Sequence, residues 1–241
     1  MITENNVRAW SIEHPWSSKM QVEQDLRLSE AIYHIFRNDY LQDELIFSGG
    51  TAFYKFYTDK EYRYSEDLDF IRVSRDGIGC VTRQLTHIGH KLGYTVSTQI
   101  KHFSKIYWKV DSLEGLRIRI KIDIDSYDKR PKLPTNVTGF TLPTLGLSDT
   151  SNVRVLGLAE LLATKVRALY SRAKGRDLFD LWVGLEELNV NPRDIVDAFA
   201  HYRPETYTSR LAIMNLQNKL KNNNYLHNLD GLLSPDIVYD P

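Results

Sequence analysis

Between residues 18 and 37, apolar side chains recur at Val22, Leu26, Ala31, Ile32, Ile35 and Phe36, the spacing of a helix with one buried stripe. Leu45-Ile46-Phe47 is a short apolar run that predicts a buried strand, halted at Gly49-Gly50, with a helix over 51–57 opening directly after the glycines. A second short strand is predicted over 68–73, and a helix over 78–92 with Gly93 placed to end it. Three further strands follow, over 94–100, 105–110 and 116–125. The last two are joined by Asp111-Ser112-Leu113-Glu114-Gly115, which suits an antiparallel hairpin. Pro131, Pro134 and Pro143 mark what reads as an irregular connection. Beyond it the pattern turns helical, over 158–172, 177–187, 192–202 and 210–221. The order predicts an α+β chain, a mixed β-sheet flanked by helices and then a C-terminal helical bundle, with a boundary near residue 150 between units 1–150 and 151–241.

Two strands carry unusual polar faces. In Asp67-Leu68-Asp69-Phe70 the side-chain alternation of a strand sends Leu68 and Phe70 to the core and leaves both aspartates on one face. Like charges at neighbouring positions repel, and a divalent cation resolves that repulsion, because Mg²⁺ prefers hard carboxylate oxygens and keeps sites for substrate phosphates. Taken alone, the pair also fits two solvated acids at a strand edge. Residues 117–125 alternate strictly: Ile118, Ile120, Ile122 and Ile124 on one face, Arg117, Arg119, Lys121, Asp123 and Asp125 on the other. Asp123 offers the third carboxylate that a two-metal phosphoryl-transfer site needs, with Asp125 facing the same way as the alternative.

Two further features suit phosphate. Ser48-Gly49-Gly50-Thr51 stands between a strand and a helix start, where bare backbone and unpaired N–H groups receive an anion. Leu158, Leu161, Leu162, Lys165, Leu169 and Arg172 share helical spacing, so Lys165 falls on an otherwise apolar face and must border an acid or a cleft. Lys165, Arg167, Arg172, Lys174 and Arg176 place five cations within twelve residues without an acid. Asp177 follows, suited to an N-cap or to positioning Lys165 or Arg172 or accepting a proton.

Composition narrows the setting more than the chemistry. Thirty-one basic and 31 acidic residues in 241 leave no net charge, so any grip on nucleic acid must be a local patch. Cys80 is the single cysteine, which excludes an internal disulfide and a cysteine-built zinc site and suits a reducing cytoplasm. The first ten residues lack the apolar stretch of a secretory signal, and nowhere do about 18 apolar residues run together, so a cytoplasmic protein away from the membrane is expected.

In this order, Phe47-Ser48-Gly49-Gly50-Thr51-Ala52-Phe53, Arg63-Tyr64-Ser65-Glu66-Asp67-Leu68-Asp69-Phe70, Lys121-Ile122-Asp123 and the run 159–182 ending Arg176-Asp177-Leu178-Phe179-Asp180-Leu181-Trp182 resemble the AbiEii/AbiGii group of polymerase-beta-like nucleotidyltransferases. The residues 54–63 between glycine turn and acid pair form an insertion that the AbiEii group shares. The resemblance implies a nucleotidyltransferase-like sheet with a helical unit contributing to the cleft. It implies a toxin of a toxin–antitoxin or phage-defence pair, nucleoside triphosphate and Mg²⁺ as ligands, an RNA acceptor such as tRNA, and a cognate antitoxin. It also implies phosphate contact by Gly49, Gly50 and Ser65, metal on Asp67, Asp69 and Asp123, and functional roles for Lys165 and Asp177. Ser48, Thr51, Arg172 and Arg176 complete the expected nucleotide contacts. Two other readings stand beside it: a nucleotide-binding regulator without turnover, and a nucleotidyltransferase acting on small, antibiotic-type molecules. Residues 190–241 carry no feature pointing to chemistry.

Overall fold

The computed structural model describes residues 2–100, 104–125 and 130–240. Helices α1 (Glu4–Glu13), α2 (Lys19–Phe36) and α3 (Asp39–Glu44) precede strand β1 (Leu45–Ser48). Helix α4 (Gly49–Tyr57), strand β2 (Asp67–Arg72) and helix α5 (Gly79–Lys91) follow, then strands β3 (Thr95–Ile100), β4 (Ser104–Asp111) and β5 (Arg117–Asp125). Strands β6 (Asn136–Leu142) and β7 (Leu147–Val155) close the sheet. Helices α6 (Leu158–Ser171), α7 (Gly175–Trp182), α8 (Pro192–Tyr202), α9 (Ser209–Leu220) and α10 (Asn223–Leu226) complete the chain.

Among the described residues, seven strands form one mixed sheet in the order β3-β4-β5-β2-β1-β7-β6. The pairs β2·β5 and β1·β7 are parallel and the others antiparallel. This is the expected α+β mixed sheet with helices after it. The four isoleucines of β5 and Leu68 and Phe70 of β2 are buried to 1% exposure or less, so the alternating pattern sets which face is core. That face is covered by α2 and α5: the Phe70 ring lies 6.0 Å from Phe36 of α2 and 5.1 Å from Phe47 of β1. The opposite face of β2 and β5 bears Asp67, Asp69, Lys121 and Asp123.

Two sequence expectations need correction. The stretch read as an irregular connection holds β6 and β7, with Pro143 confined to the short 3₁₀ turn (Pro143–Leu145) between them. β6 is an edge strand and β7 its inner neighbour, and both are rich in Ser, Asp, Asn and Thr with many exposed side chains, so hydrophobic alternation could not announce them. Consequently the boundary expected near residue 150 falls inside β7, which remains in the sheet through Val155 opposite Phe47. The core is also continuous across that point, because Leu161, Leu162, Phe179 and Ile195 join the same buried cluster as Phe36, Phe47 and Phe70.

Glycine permits one close approach here. An added Cβ on Gly89 of α5 would lie 2.7 Å from Trp108 Nε1 and from Val96 Cγ2. Gly89→Ala therefore overpacks the α5–sheet contact and should destabilise the fold by about 1–3 kcal/mol in urea denaturation, despite its better helix propensity.

Candidate active site

Strand register assembles the acidic face. Asp69 of β2 stands opposite Asp123 of β5, and Asp67 opposite Lys121, so the four side chains form a square on one face of a parallel pair. The Lys121 ammonium bridges two corners, 3.2 Å from Asp67 Oδ2 and 2.6 Å from Asp123 Oδ2. Burial would lower its pKa, but the bonds to Asp123 and Asp67 outweigh this and raise it. Asp123 Oδ1 is buried with no hydrogen-bond partner. Asp69 is pushed up to about 6, first by burial and then by Asp67 and Asp123.

The backbone is shaped around Asp69. Gly49 sits at φ +78°, and a Cβ there would lie 2.1 Å from Asp69 Oδ2. Both glycines belong to the first turn of α4, which begins two residues earlier than expected. Gly50 leaves room for Arg63 Nη2 and Ser65 Oγ, which would stand 2.8 and 2.9 Å from its Cβ. Ser48 Oγ donates to the Asp69 carbonyl at 3.2 Å, bracing β1 on β2. Thr51, expected at the nucleotide, is buried and donates to the Asp67 carbonyl at 2.6 Å.

Lys165 meets both conditions read from its helix. Its ammonium lies 2.7 Å from Asp180 Oδ2, and it also borders two cavities. Asp180 is wholly buried and bound by the Arg63 fork at 2.7 and 2.8 Å and by the Tyr54 hydroxyl at 2.6 Å. Burial alone would raise its pKa, yet Arg63 and Lys165 hold it far below the usual carboxylate range. The sequence reading gave neither Asp180 nor Arg63 a role. The helical stripe offers a signal for Asp180: Arg176-Asp177-Leu178-Phe179-Asp180-Leu181 puts an acid on an apolar turn, which requires a buried cation. Asp177 is not the N-cap that was expected. The helix starts at Gly175 after the cap residue Lys174, and Asp177, fully buried, receives both Nε (2.7 Å) and Nη2 (2.8 Å) of Arg172. With its two oxygens so occupied, Asp177 positions Arg172.

A cavity of about 110 Å³ is lined by Gly50, Arg63, Ser65, Glu66, Asp67, Asp69, Lys121, Asp123, Lys165, Arg172 and Arg176. A neighbouring one of about 480 Å³ shares Asp69, Asp123, Lys165 and Arg172 and adds Ser48, Gly49, Lys105, Asp125 and Arg167. Asp123 thus reaches both cavities while Asp125 lines only the larger. The donor set suits a hard cation: carboxylate oxygens, one of them buried and unpartnered. Among the described residues, the single His/Cys/Asp/Glu trio with ligand atoms within 4.8 Å of one another lies elsewhere, at His14, Asp25 and Glu61. There Asp25 already holds the Lys55 ammonium and Trp10 Nε1, each at 2.8 Å, and His14 is hydrogen-bonded to Glu61. That cluster is a satisfied ion-pair network.

Residues 30–236 match the family model described as nucleotidyl transferase AbiEii toxin, type IV TA system. The chain belongs to the AbiEii nucleotidyltransferase toxin family. The fold agrees: MenT4, a nucleotidyltransferase toxin from Mycobacterium tuberculosis H37Rv, superposes with a TM-score of 0.58 at 16% identity, over 91% of this chain and 88% of that one. An antigenic nucleotidyltransferase-like protein from Paracoccidioides brasiliensis gives 0.45 at 18% identity, over 85% and 90%. No match is found among curated proteins. This AbiEii chain is a nucleotidyltransferase, and no helix among its described residues is long and apolar enough to cross a membrane.

Two variants separate the charge terms. Asp69 binds its proton more tightly folded than unfolded, so its contribution to stability is lost as pH rises from about 4 through about 6. Asp69→Asn should match the parent in urea melts at pH 4 and exceed it at pH 7 by about 1–2 kcal/mol, a partial figure because cavity water screens the carboxylate. Asp180→Asn strands two buried cations and should cost about 3–5 kcal/mol in the same assay.

Proposed function

We propose that this AbiEii nucleotidyltransferase moves a nucleotidyl group from a nucleoside triphosphate to a hydroxyl of RNA, with a divalent cation held by Asp67, Asp69 and Asp123. What carries the reading is the shared cavity. Three carboxylates line it together with Lys165, Arg172, Arg176, Ser65 and the Gly50 turn, groups suited to phosphate. A bound cation would supply charge neutralisation of the triphosphate and of the developing oxyanion. Lys165, fixed by Asp180, and Arg172, fixed by Asp177, hold the β- and γ-phosphates in place with little freedom left to lose.

The acceptor oxygen forms a bond to the α-phosphorus as the bond to the bridging oxygen breaks, and pyrophosphate leaves. The hydroxyl proton passes to a carboxylate. Asp123 suits this step better than Asp177, since one of its oxygens has no partner while both of Asp177 hold Arg172. RNA is favoured as acceptor because Lys105, Arg167 and Arg172 border the larger cavity, whose volume of about 480 Å³ suits a nucleoside and its neighbour. The helices after residue 157 form the cleft's second wall in this reading, a cognate antitoxin is the expected partner, and the cytoplasm the expected site.

The test incubates the protein with total RNA and each labelled triphosphate, with and without Mg²⁺. Incorporation should require Mg²⁺ and fall at least about a hundredfold in Asp69→Asn and Asp123→Asn, a barrier change on the order of 3 kcal/mol. Incorporation by either variant near the parental level excludes these metal roles. Labelling that is insensitive to RNA and to salt points instead to a small-molecule acceptor.

A further inference from the structure

The ammonium of Lys121 stands among the acids, where opposite charge is most needed. It lies 3.2 Å from Asp67 and 2.6 Å from Asp123, three-quarters buried like both partners. Parallel register puts it there, since Lys121 is the cross-strand neighbour of Asp67 and shares the strand face with Asp123. A lysine offers three donors and one positive charge, which neutralises two carboxylates only in part. The remaining need is visible: Asp123 Oδ1 is buried without a partner. Among the described residues, one ligand atom from each of three such side chains comes within 4.8 Å of the others at His14, Asp25 and Glu61 and not at Asp67, Asp69 and Asp123. The ammonium occupies Oδ2 of both Asp67 and Asp123, so a divalent ion that took those oxygens would have to displace it.

We propose that Lys121 is a resident counter-ion of the metal-free enzyme that yields its place to the incoming divalent cation and then turns to the triphosphate. The inference rests on the metal-dependent reading above. Displacement costs two charge-assisted hydrogen bonds, so the cation binds weakly until phosphates are present to receive the freed ammonium. The receiving side lies in the same small cavity, where Gly50, Ser65, Lys165, Arg172 and Arg176 gather. Metal and triphosphate then bind with positive coupling, and Lys121 is the element that couples them. Lys165 cannot do this, because its ammonium is held 2.7 Å from the buried Asp180.

The experiment measures Mn²⁺ alone by calorimetry, and then inorganic triphosphate at saturating Mn²⁺, on the parent, Lys121→Met and Lys121→Arg. Lys121→Met should bind Mn²⁺ about tenfold more tightly and triphosphate about tenfold more weakly, while Lys121→Arg stays near the parent in both. A lysine that merely holds the strands together would move both affinities the same way. Unchanged Mn²⁺ affinity, or weakening of both ligands together in a variant whose melting shows it folded, overturns the proposal. If Lys121→Met does not fold, the Mn²⁺ affinity of Lys121→Gln is read by the same criteria. Failure of parent and variants alike to bind Mn²⁺ overturns the metal-dependent reading as well, whereas equal binding by all overturns only the role of Lys121.

Discussion

A carboxylate taken wholly out of water has to be surrounded, and Asp180 organises the molecule by that requirement. Its partners come from three separate segments: Tyr54 from α4, Arg63 from the loop before β2, and Lys165 from α6. Each of those segments also carries part of the site. The α4 turn brings the glycines, the loop brings Ser65, and α6 brings the cleft wall. The chain end joins in, since Tyr64 N–H donates to the Leu232 carbonyl at 2.7 Å and Ser234 N–H to the Tyr62 carbonyl at 3.0 Å. A buried ion pair contributes little net stability over an apolar core of the same shape, because desolvation offsets attraction. What it fixes is position.

The same requirement divides the cavity by charge. On the Asp180 side, Arg63 and Lys165 bring two positive charges to one negative. On the sheet side, Asp67, Asp69 and Asp123 bring three negative charges to the single ammonium of Lys121. Each half is left unbalanced in the opposite sense. The metal-bound polyphosphate proposed above would match that polarity, its ion toward the carboxylates and its phosphate oxygens toward Lys165 and Arg172. Asp69, raised to about 6 first by burial and then by Asp67 and Asp123, is the energetic mark of the acidic half.

Much of this was legible because β2 and β5 each obey one period. Strict alternation of isoleucine with charge in β5 leaves no doubt about which face meets the core, and Asp67 and Asp69 follow from Leu68 and Phe70 in the same way. Lys165 was legible for a related reason, as a cation on an apolar stripe. Strands β6 and β7 were not legible, since many of their side chains are solvated and they are held chiefly by backbone pairing to each other, with β7 joined to β1. Tertiary pairings leave no local trace, so Lys165 was read only as bordering an acid or a cleft, whereas Asp177, close in sequence, was already a candidate to position Arg172. Thr51 shows the same limit: its hydroxyl sits in a phosphate-type motif, yet its destination is the Asp67 carbonyl across the turn.

Lys121 is the case in which period and register together exceed either alone. Alternation puts it on the polar face with Asp123, a position shared with Arg117 and Arg119, which a solvated face explains. Only the parallel pairing that sets Lys121 against Asp67, and Asp123 against Asp69, makes it part of the acid cluster. A slip of one residue would turn Ile120 or Ile122 toward the cavity and drive Lys121 and Asp123 into the core, at the cost of burying charge. The isoleucine row that secures the core is therefore also what holds the ammonium between the carboxylates, and chemistry and folding share one register.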